Sequence, residues 1–145
     1  MKAGANAASR GIAAVEFALV APLLLLLLAG VLDFSMLLRT ATCAADAARA
    51  GTEYGSKSAT AAADTAGMQA AALHAAPGVA GMTATATRSC KCSDGSALTC
   101  GSSCVSGKMM VYVQVTTEVA AHTVFDYSAL NFSNTVRATA NMRAQ

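Results

Sequence analysis

The sequence predicts an α+β chain. It has one long N-terminal helix, half suited to a bilayer and half to water, then a second short helix and a small antiparallel sheet of about three or more strands. Three observations predict it. Leucine fills positions 23–28 within an apolar segment, residues 12–32, that only Glu16 and Pro22 interrupt. Alanine then recurs at three- and four-residue spacing, without proline, to about residue 54. From residue 83 onward the apolar period drops to two.

The apolar segment comes first. At 1.5 Å per residue a helix of that length reaches about 30 Å, the hydrocarbon thickness of a bilayer. Residues 1–11 are polar and carry Lys2 and Arg10 but no acid, so this flank is expected in the cytoplasm and the rest of the chain outside. A secretory signal peptide has the same basic start but a shorter apolar stretch. A signal anchor explains the length but not the glutamate. A core helix is disfavoured because a leucine run has no polar face.

Glu16 is the informative residue. A carboxylate in a membrane helix costs up to about 3 kcal/mol and is rare without a partner, although a shallow position near the interface lowers that cost. A cut after Gly11 would make Ile12 the first residue and Glu16 the fifth. The new amino group would be a cation at the end of an apolar helix. In an array of parallel helices, Glu16 of a neighbour staggered by about one turn can neutralise it.

The run Arg10-Gly11-Ile12-Ala13-Ala14-Val15-Glu16-Phe17-Ala18-Leu19 resembles the start of TadE-like proteins. So does its continuation through Pro22, the leucine run, Gly30 and Asp33-Phe34, and so does the later Ala47-Ala48-Arg49-Ala50-Gly51. The resemblance covers residues 10–55 and is looser beyond. It implies a pilin-like fold and a minor pilin (pseudopilin) of a tight-adherence pilus, related to type IV pili. It also implies partners: the inner membrane, a prepilin peptidase, a second minor pilin and the major pilin. Gly11 and Ile12 then flank the processing site, and Glu16 with Phe17 serves recognition and assembly. The chain divides into a leader (1–11), a transmembrane half-helix (12–33), a soluble half-helix (34–55) and an extracytoplasmic domain (56–145).

Asp33 and Arg39 mark the expected exit from the membrane. Beyond them Ala41, Ala44, Ala45 and Ala48 form a small-residue face for close packing, while Asp46, Arg49 and Glu53 point to solvent. Gly51 and Gly55 are expected to loosen and end the helix. Cys43 stands alone in this helix, as a small buried thiol or as half of an intermolecular disulfide.

A second helix is predicted over residues 58–76, capped by Ser58, ended by Pro77-Gly78, and anchored by Met68 and Leu73. His74 near its end suits the helix dipole. Three strands follow. Thr83 to Thr87 alternates Thr and Ala. Val111, Val113 and Val115 alternate with Tyr112, Gln114 and Thr116. Val136, Ala138, Ala140 and Met142 alternate with Arg137, Thr139, Asn141 and Arg143. Residues 122–134, with Phe125, Tyr127 and Phe132, read as a connecting loop. The sheet is expected to pack on the alanine face of the long helix.

Four of the five cysteines, Cys90, Cys92, Cys100 and Cys104, lie between residues 90 and 104 around an Asp94-Gly95 turn. Two disulfides closing the hairpin between the first two strands are expected in an oxidising compartment. Three connectivities are open. Nesting, Cys92 with Cys100 and Cys90 with Cys104, is the preferred one. Zinc is disfavoured because the paired C-x2-C spacing is missing.

Net charge is +2 and no Lys/Arg cluster occurs, which argues against nucleic acid. His74 and His122 are far apart with no nucleophile motif, and no phosphate loop or dinucleotide fingerprint appears. No catalytic residue, metal, cofactor or small-molecule substrate is expected. The alternative to a pilus subunit is a permanently anchored periplasmic binding or scaffold protein, with the Phe125, Tyr127 and Phe132 loop as its surface.

Overall fold

A computed structural model describes residues 5–123 and 134–144. Helix α1, Ala5–Ser56, is continuous through Pro22, and it begins inside the segment expected as a leader. Two short helices follow, α2 (Ala59–Ala63) and α3 (Thr65–His74). Then come strands β1 (Thr83–Cys92), β2 (Ala97–Leu98), β3 (Met109–Ala120) and β4 (Thr135–Arg143). They form one antiparallel sheet in the order β2-β1-β3-β4. This is a pilin-like α+β arrangement: the C-terminal part of α1 lies over β3 and β4, while α3 lies over β1.

The pairing carries the alternation of the sequence into two faces. Thr85, Thr116 and Thr139 share one row, as do Ala86, Val115 and Ala140. The second set faces the helices. One buried cluster joins Ala62, Met68 and Ala72 to Val113 and Val115. A second joins Ala44 and Ala47 of α1 to Ala76, Met82 and Val119. On the polar face Thr116 is itself buried, because Thr85 and Thr139 flank it and its hydroxyl shares a 3.0 Å hydrogen bond with that of Thr139.

The packed line on α1 runs through Ala44, Ala47, Ala48, Gly51, Thr52 and Gly55, all buried. These positions recur every three or four residues, one face of a helix. Ala41 and Ala45, expected on that face, sit at its margins and are half-buried. α1 ends at Ser56, directly after Gly55, but neither glycine adopts the positive φ of a helix-ending turn. A methyl group on Gly51 would come within 2.8 Å of the Met68 carbonyl oxygen, and one on Gly55 would collide with the Met68 thioether. Their role is close approach, which α1 needs so that Met68 fits between helix and sheet. Thr117 adds a polar tie across the layers: its hydroxyl donates to the Ala44 carbonyl at 2.8 Å. Asp46, Arg49 and Glu53 are exposed, and Asp46 pairs with Arg49 at 3.8 Å.

The second predicted helix is split. Ser58 caps α2 by accepting from the Ala61 N–H at 3.1 Å. Asp64 then interrupts the helix and caps α3, accepting from the Gly67 N–H at 2.8 Å. The break forms because an Asp side chain competes for backbone donors at an N-cap more effectively than inside a helix. Of the two expected anchors, Met68 is fully buried and Leu73 is exposed.

The disulfides also differ from expectation. They join Cys90 to Cys100 and Cys92 to Cys104, so they interleave. The reason is β2. A tight turn from Cys92 to Ser96, with Gly95 at φ +90°, sends the chain back along β1. Cys90 then lies opposite Leu98 and meets Cys100 with Cα atoms 5.2 Å apart. A second turn at Gly101 (φ +98°) reverses the chain again. It returns past Cys92 on its way to Met109, which pairs with Cys92, so Cys104 arrives there at 5.8 Å.

Candidate functional site

The segment of α1 before the sheet is unlike the rest of the molecule. Residues 13–32 are exposed except for half-buried Ala21 and Ala29. An 18-residue window in this helix has a mean hydropathy of 2.5 and no part of it buried. Phe17 and all six leucines of the run stand clear of the domain. Nothing within the described residues covers this surface, and its length matches a bilayer core. Pro22 has no N–H to donate to the Ala18 carbonyl. Such a defect is tolerated in membrane helices, where neighbouring groups re-satisfy the freed acceptor.

Glu16 lies one turn beyond Ile12 on this helix and is exposed. Gly11 and Ile12 are helical in backbone, and their surroundings lie outside the described residues. The expected cut would therefore fall within a helix and leave Ile12 at its new end. The N–H groups of that first turn and the new amino group would give the end a positive character that a carboxylate complements.

At the other end of the apolar segment, Asp33 is only 3% exposed although Val31, Leu32 and Phe34 beside it are exposed. The exposed apolar side chains continue past it through Met36 and Leu38. The exposed apolar surface thus runs past Asp33 up to Arg39, the second of the two expected exit residues and the first exposed charge after it. Cys43, one turn further, is half-buried and carries a free thiol.

Within the domain, the polar group that sequence reasoning missed joins Tyr54, Asp64 and Gly67. The Tyr54 hydroxyl donates to Asp64 at 2.9 Å. The Gly67 N–H and then the Tyr54 hydroxyl hold the Asp64 carboxyl below its ordinary value, and the same carboxylate raises the Tyr54 phenol. A methyl group on Gly67 would press against both partners. This is a structural lock between α1 and α3. Asp64 three residues before Gly67 was its only sequence signal. Asp94 is likewise held low by the Ser96 hydroxyl and then the Ser96 N–H, which shape the disulfide turn.

The chemistry-bearing residues do not converge. His74, at the end of α3, and His122, past the end of β3, are both exposed. Among the described residues no group of three His, Cys, Asp or Glu is placed to hold a metal ion. The cysteines of the 90–104 cluster are all in disulfides. Phe125, Tyr127 and Phe132 lie outside the described residues. What the structure presents is therefore a surface: an apolar helix carrying one exposed carboxylate, Glu16, continuous with a disulfide-bonded domain.

The family model described as TadE-like protein matches residues 11–53. Over most of its long helix the chain is similar to TadE-like proteins. No curated protein and no solved structure matches it. The TadE-like match begins at Gly11, spans the exposed apolar surface, and ends where α1 packs on the sheet. It associates the chain with the tight-adherence pilus system and, together with the apolar helix, with a membrane.

Proposed function

We propose that this TadE-like chain is a minor pilin, or pseudopilin, that assists initiation, tip formation or assembly of a tight-adherence pilus. A prepilin peptidase cuts it after Gly11. It then resides in the inner membrane with its domain in the periplasm, until helix packing carries it among other pilin-like subunits. It performs no catalysis. Its partners are the peptidase, a second minor pilin and the major pilin.

The observation that carries this reading is the exposed apolar half of α1 with Glu16 as its one exposed carboxylate. A simple anchor needs length and hydropathy only. Glu16, one turn past Ile12, serves no purpose in lipid but neutralises the amino terminus of a neighbouring helix. The domain, stiffened by two disulfides, travels with the helix because α1 runs unbroken from one to the other.

Replacing Glu16→Leu tests it. The variant should still insert in the membrane while pilus number falls by more than about tenfold, the scale of removing one partner of a desolvated ion pair. An unchanged pilus count would leave a permanently anchored protein as the better reading. Intact mass and N-terminal sequencing, with and without the peptidase, check the processing: a chain starting at Ile12 is expected only when the peptidase is present.

A further inference from the structure

The apolar half of α1 ends beside a cleft of about 480 Å³. Met36, Arg39 and Cys43 of α1 form one wall, the chain following α3 at Pro77 and Val79 forms another, and His122 closes the end past β3. The lining is apolar except for Thr40 and the two nitrogen-bearing side chains, Arg39 and His122, and no carboxylate is among the described lining residues. Of the acids flanking it on α1, Asp33 is buried, and Asp46 pairs with Arg49 on the exposed side.

The height of the cleft is as informative as its lining. Arg39 directly follows Leu38, the last exposed large apolar side chain of α1, so it stands at the edge of the lipid-facing surface. The headgroup layer begins at the hydrocarbon edge and is about 5–7 Å deep on each side. The exposed apolar side chains of Phe34, Met36 and Leu38 carry the lipid-facing surface up to the cleft mouth. Arginine on its long stem reaches back toward such a layer. A planar guanidinium above an apolar wall matches a phosphate joined to an acyl glycerol.

We propose that this cleft binds the headgroup of an anionic phospholipid of the outer leaflet, with Arg39 on the phosphate and the Met36, Pro77 and Val79 side taking the glycerol end. The inference rests on the membrane-anchored reading above. The bound lipid fixes the height and tilt of the domain on the membrane before assembly. It must leave when α1 is drawn into a filament.

The test uses the full chain in vesicles of phosphatidylcholine with or without phosphatidylglycerol, the latter bearing a photoreactive group on its headgroup. Adducts should map to residues 36–43 and 75–80. Arg39→Gln should lower their yield by about tenfold, the loss of one charge-assisted phosphate contact. Arg39→Lys should restore most of it. Ala80→Phe, which fills the cleft with Arg39 intact, should lower it as well. Adducts spread along residues 13–38 and indifferent to Arg39→Gln would overturn the proposal. So would full competition by soluble glycerol phosphate, which would make this a free-anion site, or chain-to-chain cross-links through the cleft, which would make the occupant a second subunit. A chain that fails to stay with the vesicles would remove the membrane reading itself.

Discussion

The two halves of α1 share one backbone and follow opposite rules. In residues 13–38 the large apolar side chains, leucine above all, are exposed, with only Leu37 half-buried. In residues 44–55 the side chains are alanine, glycine and threonine on the packed face, and that face is sealed against the sheet. Bulk on the first half is a surface for lipid or other helices. Smallness on the second half lets β3 and Met68 come close. A helix can therefore be read for what surrounds it: large and apolar all round means an external apolar partner, and small on one side means an internal one.

Paired truncations should break this comparison most sharply. Met68→Ala removes the largest fully buried side chain among the described residues, so domain stability in detergent should fall by about 2–5 kcal/mol. Leu26→Ala, on the exposed half, should leave it within about 0.5 kcal/mol. Equal losses from urea titration would mean that the two halves fold as one cooperative unit through contacts not seen here.

Next in size is the disulfide turn. The double substitution Cys92→Ser with Cys104→Ser opens the closure at the base of β1, and stability should drop by about 2–4 kcal/mol. Peptide mapping under non-reducing conditions should find Cys90 linked to Cys100 in the parent chain, and finding Cys90 with Cys104 would restore the nested pattern.

A smaller effect comes from the tie between the layers. Thr117→Val keeps the shape and removes the bond to the Ala44 carbonyl, which the helix itself still serves, so about 1 kcal/mol should be lost. Hydrogen exchange should quicken in residues 44–48 and not in residues 20–30.

The smallest effect is a pH dependence at the α1–α3 lock. Asp64 is held below its ordinary value of 3.8, so its contribution is present above that value and fades as pH falls through the lower folded value. Tyr54 is raised above 10.0, so its contribution is present below that pH and fades as pH rises through the higher folded value. Both groups are solvent-exposed and the change is slight. The difference between parent and Asp64→Asn in urea midpoint should shrink at the acid end, and a flat difference would mean that the carboxylate is not what holds Tyr54.

Much of this fold is legible in single residues. Thr83 to Thr87 and Val136 to Met142 declare their strands because a sheet sends alternate side chains to opposite sides, and one side here is buried. Glu16 stands out because a lone carboxylate in an apolar helix has a cost that composition cannot hide. Gly51 and Gly55 tell only half their role because glycine has two uses. Local sequence shows its freedom to end a helix, whereas its lack of a side chain matters only once Met68 is known to lie opposite. Tyr54 and Asp64 sit on separate elements, and nothing local says that they meet.

By itself the sequence determined the class of the chain: an apolar helix of bilayer length, a leader-like flank, a carboxylate one turn past Ile12, an alternating sheet and a cysteine cluster. Each is a local property, set by hydropathy, period or charge over a few residues. Only the tertiary structure decided which cysteines pair, that the packed line of α1 turns through Ala47, Gly51 and Gly55, that Asp64 splits the second helix, and that a cleft opens where the apolar surface ends. These depend on which distant segments come to lie side by side, and pattern within a segment carries no record of its neighbour across the core.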